Sequence, residues 1–109
     1  MLTVEGNTIK ITKGDTLMLR IDVQRDGEPY EPQEGDRIRF ALKSKYTDPD
    51  CLILTEIPTD TMVLSIDAET MKTLAVTRTG YVYDIQLTDA DGIVSTVISD
   101  RLYTTEEVE

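Results

Sequence analysis

The sequence predicts an all-β fold: an immunoglobulin-like antiparallel β-sandwich of about seven or eight strands, with one short helix near residues 67–75. Three observations predict it. Apolar and polar residues alternate with period two along several stretches, which is the pattern of half-buried strands. Glycine- and aspartate-rich turns break those stretches every ~8–12 residues, the spacing of a sandwich. A single segment switches to the helical period.

The elements follow in chain order. Leu2–Glu5 and Thr8–Thr12 flank Gly6-Asn7, a two-residue loop suited to a type II′ hairpin. After the turn Lys13-Gly14-Asp15, Thr16–Gln24 alternates: Leu17, Leu19, Ile21 and Val23 face inward and Thr16, Arg20, Asp22 and Gln24 outward, with Met18 the exception. Arg25-Asp26-Gly27 and Gln33-Glu34-Gly35-Asp36 are turns, and Asp36–Lys43 then places Ile38, Phe40 and Leu42 inside and Arg37, Arg39 and Lys43 outside. Cys51–Ile57 and Thr61–Ile66 flank Pro58-Thr59-Asp60, and in Leu52-Ile53-Leu54 both faces are apolar.

Asp67–Ala75 reads as the helix. Asp67 is its N-cap, Glu69 lies at the positive end of the dipole, and Met71, Leu74 and Ala75 form the apolar stripe. Gly80 restarts an extended chain, in which Tyr81, Tyr83, Ile85 and Leu87 face inward and Asp84, Gln86 and Thr88 outward. Ile93–Ser99 follows the turn Asp89-Ala90-Asp91-Gly92, and a further short strand is expected through Leu102 and Tyr103. Residues 1–103 are therefore expected to form one sandwich domain, and residues 104–109 an acidic, fraying tail.

Composition narrows function. The 109 residues are one domain's worth and carry a formal charge of −10. Such a surface repels phosphate backbones and anionic lipid, so neither nucleic acid nor membrane is an expected partner. No apolar run approaches the ~20 residues of a membrane span. Met1–Ile11 lacks the basic start and apolar core of a secretory leader, which leaves the cytoplasm as the default location. There is no histidine, so Ser–His and Cys–His nucleophilic schemes are excluded, and one cysteine cannot form an internal disulfide. Neither catalysis nor a cofactor is expected.

Several motifs carry a resemblance. Ile11-Thr12-Lys13-Gly14-Asp15-Thr16-Leu17 joins a short strand to a long alternating one through a Gly-Asp-Thr turn. Arg25-Asp26-Gly27, a strand Arg37–Lys43 bearing the core aromatic, and a short helix Asp67–Leu74 follow, leading into Gly80-Tyr81-Val82-Tyr83-Asp84-Ile85-Gln86-Leu87. The order resembles small phage and prophage structural domains, and is similar to the N-terminal β-sandwich domain of upper baseplate proteins. The resemblance implies a virion location, virion or tail proteins as partners, possible self-association, and no catalytic residues.

Against that background each candidate site is weighed. Asp48-Pro49-Asp50 and Asp89-Ala90-Asp91-Gly92 offer loop carboxylates to Ca²⁺ but lack EF-hand spacing, and ordinary turn chemistry accounts for them. Chance pairs among 21 acids are certain, so paired carboxylates do not indicate a glycosidase. Tyr30, Tyr46 and Tyr103 are the candidates for stacking on sugar rings, the alternative reading as a carbohydrate-binding or adhesion module. Arg20, Arg37, Arg39 and Lys43 form an outward basic row, read either as cross-strand partners of Asp22 and other acids or as a stripe for docking another copy. The hairpin Leu2–Thr12 is the most available strand edge, with Lys10 and Lys13 guarding it. Cys51 is expected to be buried beside Leu52.

Overall fold

The structure is a computed structural model that describes residues 2–25, 27–77 and 79–106, with Thr3 described by its backbone alone. Its elements are β1 (Leu2–Glu5), β2 (Thr8–Thr12), β3 (Leu17–Arg20), β4 (Gln24–Arg25), β5 (Glu28–Pro29), β6 (Arg37–Lys43), β7 (Ile53–Ile57), β8 (Val63–Ile66), α1 (Ala68–Met71), β9 (Tyr81–Thr88) and β10 (Val94–Thr105). The fold is an all-β sandwich, as expected. Its main layer is a six-stranded sheet in the order β1-β2-β10-β9-β6-β7; the pair β3-β8 makes a second, smaller sheet and β4-β5 a third. No described helix is long and apolar enough to cross a membrane.

Alternation decides which face of the main sheet is covered. Ile38, Phe40 and Leu42 on β6 and Ile85 and Leu87 on β9 are at most 1% exposed and point to one side. Leu17 on β3, with Leu64 and Ile66 on β8, closes over them. Each such side chain contributes ~1.5–3 kcal/mol on burial. Two strands cannot cover six, and the remainder of the inner face is filled from the connections. Ile21 and Val23 after β3, and Met71 and Leu74 at the helix, all belong to the same core. The Tyr81 hydroxyl accepts from the Ala75 N–H at 2.8 Å and donates to the Ala75 carbonyl at 3.1 Å, and Thr104 Oγ1 donates to that carbonyl at 2.6 Å. These bonds tie the segment after α1 to the main sheet.

Several sequence expectations are corrected. Ten strands are described rather than seven or eight, and the β2–β10 pair is parallel, because the N-terminal hairpin joins the sheet beside the last strand. Pairing with β9 as far as Leu102, taken over by β2 from Leu102 to Thr105, makes β10 one continuous strand. Thr104 is 2% exposed, and the Lys13 N–H reaches the Thr105 carbonyl at 2.9 Å, so the domain extends past 103 and the tail begins later. Its residues 107–109, like Asp26 in the expected β4–β5 turn, lie outside the described residues.

The long strand expected over Thr16–Gln24 stops at Arg20. The chain then leaves β8, and Val23 instead accepts the Tyr30 N–H at 2.9 Å. The helix is shorter than expected, although Asp67 caps it by accepting the Thr70 N–H at 2.8 Å. Ala75 is exposed rather than part of the stripe. Gly6 takes φ +60°, as the first central position of a II′ turn requires, and the Tyr83 hydroxyl donates to the Asn7 carbonyl at that hairpin tip. Within this hairpin β1 is the sheet edge and β2 is interior, so Lys10 lies one strand in from the edge and cannot guard it. Cys51 is exposed, because it lies in the loop before β7 rather than on an inward strand position.

Candidate interaction face

The covered face is apolar by selection; the opposite face carries the chemistry. Cross-strand partners share a face, so the registers of β7–β6–β9–β10 arrange the outward residues in rows. Arg37, Thr88 and Val94 form one row, Glu56, Arg39, Gln86 and Thr96 the next, and Leu54, Ala41, Asp84 and Ser99 the third. Lys43, Val82 and Arg101 continue the grid. The result is an open, four-strand-wide surface with three of its cations in line along β6.

The ion pairs follow from this grid. Arg39 Nη1 lies 3.2 Å from Asp84 Oδ1, and Arg37 Nε 3.4 Å from Glu56 Oε1. Both are cross-strand pairs at exposed or half-exposed positions, worth ~0–1 kcal/mol each. Arg101 Nη1 donates to the Thr79 carbonyl at 2.9 Å. The Tyr46 hydroxyl and Ser99 Oγ are 3.2 Å apart. Along β6–β7 an open depression of about 320 Å³ is lined by Arg37, Arg39, Leu54, Glu56 and Thr88. Beside Tyr46 a smaller one of about 100 Å³ is lined by Ala41, Lys43, Val82 and Asp84.

Four of the six residues singled out from the sequence therefore come together here: Arg37, Arg39, Lys43 and Tyr46. Two do not. Arg20 sits on β3 in the small sheet, so it cannot extend the basic row; its neighbour Asp22, 3.9 Å away, is two residues along its own chain and not a cross-strand partner. Tyr30 is engaged elsewhere. Its hydroxyl donates to the Asp36 carboxylate at 2.5 Å, and the Arg25 guanidinium lies 5.6 Å from its ring centroid. The Tyr30 hydroxyl, followed by the Gln33 N–H at 2.8 Å, holds the Asp36 carboxyl below the usual range. This cluster locks the loop that leads into β6. Asp89 is likewise occupied by turn geometry, its Oδ1 accepting the N–H groups of Asp91 and Ile93.

Sequence reasoning missed the apolar part of the face. Leu54 is 63% and Leu52 51% exposed on β7 and its approach, and Val94 is 55% exposed on β10. The clue lay in Leu52-Ile53-Leu54: once Ile53 is buried, period two forces both leucines outward.

Charge is segregated as well. The outward strand positions of the main sheet hold five cations (Lys10, Arg37, Arg39, Lys43, Arg101) and three acids (Glu5, Glu56, Asp84), a net +2. The remainder of the sequence holds six cations and eighteen acids, a net −12.

No family model matches the chain, and no curated protein or solved structure matches it.

Proposed function

We propose that this chain is a non-catalytic protein-interaction domain that docks through the outer face of its main sheet, as a component of a phage-type tail or baseplate assembly within the virion. The observation that carries the docking face is the concentration of cations and exposed leucines on one open sheet surface of a protein that is otherwise strongly acidic. Arginine is enriched at protein interfaces and among their binding hot spots. The assembly type rests on the motif order from Gly14-Asp15-Thr16 to Gly80–Leu87.

The test is incorporation. Wild-type chain should be recovered by mass spectrometry in tail particles purified from a host carrying the gene. The double variant Arg39→Glu/Leu54→Asp should fold like wild type by circular dichroism and be missing from those particles. Absence of the wild-type chain overturns the tail assignment, and normal incorporation of the variant overturns the docking face. Binding to a glycan array that depends on Tyr46 would instead favour the carbohydrate-binding reading.

A further inference from the structure

The charge segregation also points to what the face meets. Away from the main sheet's outer face, one loop end of the molecule carries a run of exposed acids. Glu28, Glu31 and Glu34 are all exposed in the segment from β5 to β6, and no cation lies between residues 26 and 36. That segment abuts the β9–β10 turn: a Cβ on Gly35 would lie 2.7 Å from the Ala90 Cβ, so exposed Asp91 joins the same end. Of the two cations that flank the segment, Arg25 is held over the Tyr30 ring and Arg37 opens the outer face. One molecule thus presents a cationic, leucine-bearing face and, at the end where β6 begins, an anionic loop end.

We propose that the outer face of one copy docks on the acidic loop end of a second copy, head to tail. This rests on the reading of the outer face as a docking surface and names its partner. Arg37 and Arg39 would meet Glu31 and Glu34, while Leu52, Leu54 and Val94 supply apolar contact around them. Because the two surfaces differ, each docked copy still exposes one of each, and the association continues into a ring or filament rather than stopping at a dimer. The net repulsion between two copies at −10 does not forbid this. At about 0.15 M salt the Debye length is ~8 Å, so whole-molecule repulsion is largely screened while pairs in contact are not.

The experiment is sedimentation velocity on the full chain at about 0.15 M salt, up to about 1 mM protein. Wild type should form concentration-dependent species larger than a dimer. Arg37→Gln/Arg39→Gln removes the cationic surface only, and Glu31→Gln/Glu34→Gln the anionic one only. Each variant alone should self-associate at least ~10-fold more weakly, as expected when close charge pairs at an interface are cut. Mixed, they should form a 1:1 pair and grow no further, because a single complementary contact remains. A wild type that stays monomeric throughout, a variant that associates as wild type does, or a mixture that fails to pair overturns the proposal. If wild type is monomeric yet is carried into particles and lost from them on Arg39→Glu/Leu54→Asp, the docking face stands and self-docking falls. If particle incorporation ignores the face variant, the docking face itself fails.

Discussion

Replacing Phe40 by alanine tests the two-faced sheet on which the docking surface depends. Phe40 sits mid-strand on β6, paired with Thr55 of β7 on one side and Ile85 of β9 on the other, and is 0% exposed. Its ring centroid is 5.4 Å from that of Tyr83 in a tilted arrangement. The interior strands around it are hydrogen-bonded on both sides and cannot collapse into the void, so the upper part of the ~3–5 kcal/mol range for aromatic truncation applies. For a domain near this size each kcal/mol lowers the midpoint by ~4 °C or more, giving a fall of at least ~16 °C. Leu54, paired with the next residue, Ala41, is the control: it points outward and is 63% exposed. Leu54→Ala should cost no more than ~0.5 kcal/mol. Urea unfolding followed by circular dichroism, with thermal melts alongside, measures both. If Leu54→Ala costs as much as Phe40→Ala, or if Phe40→Ala costs less than ~1.5 kcal/mol, the assignment of inner and outer faces is wrong.

Three further outcomes are expected. Burial, reinforced by nearby Asp100, pushes the Tyr83 phenol up to about 12. Its neutral form stabilises the fold fully below the ordinary tyrosine value of ~10, and that contribution is lost as pH rises towards 12. Tyr83→Phe should therefore flatten the alkaline stability limb, and an unchanged slope would show that Tyr83 does not control it. Asp36, held below the usual carboxyl range by the Tyr30 hydroxyl and the Gln33 N–H, stabilises in the opposite window. Its contribution is complete above the ordinary Asp value and disappears as pH falls through its lowered one, so Asp36→Asn should destabilise at neutral pH and converge on wild type in acid melts. Gly80 takes φ +77° and an added Cβ would lie 2.8 Å from the Tyr103 ring, whereas Gly27, at φ +80°, has no such neighbour within 4 Å. Gly27→Ala should cost only the ~1–2 kcal/mol of left-handed backbone, and Gly80→Ala more; equal costs would place the Tyr103 ring elsewhere.

Much of this was legible before any coordinates. Period two placed Ile38, Phe40, Leu42, Ile85 and Leu87 inside because every second residue of a strand shares a face. Asp67 announced the helix start because a short acidic side chain can bond the orphan N–H groups there. What failed was whatever depended on which strands become neighbours. Nothing local to Lys10 says that β10 will lie beside it in parallel and turn an expected edge into an interior strand. Nothing local to Arg20 says that its strand joins the other sheet, separating it from Arg37 and Arg39. Cys51 is exposed despite its apolar neighbours because it precedes the strand, where alternation does not yet fix which side a residue faces.

The same distinction explains why the proposed docking face is legible in the sequence only in part. Its cations were visible as alternating positions on one strand, but its charge balance is a property of six strands placed side by side. Segregation of this kind needs a cause, and the unequal layers provide one. A two-stranded sheet helped by α1 and two connections covers only one side of six strands, so the other side remains open whatever the sequence does. An open β-surface can be kept harmless by dispersing acids over it, and this chain has acids in excess. It instead puts most of them elsewhere and leaves arginines and two leucines there. A sequence under pressure only for solubility has no reason to spare that one face. The proposed docking gives it one, since acids left opposite an acidic partner would repel it.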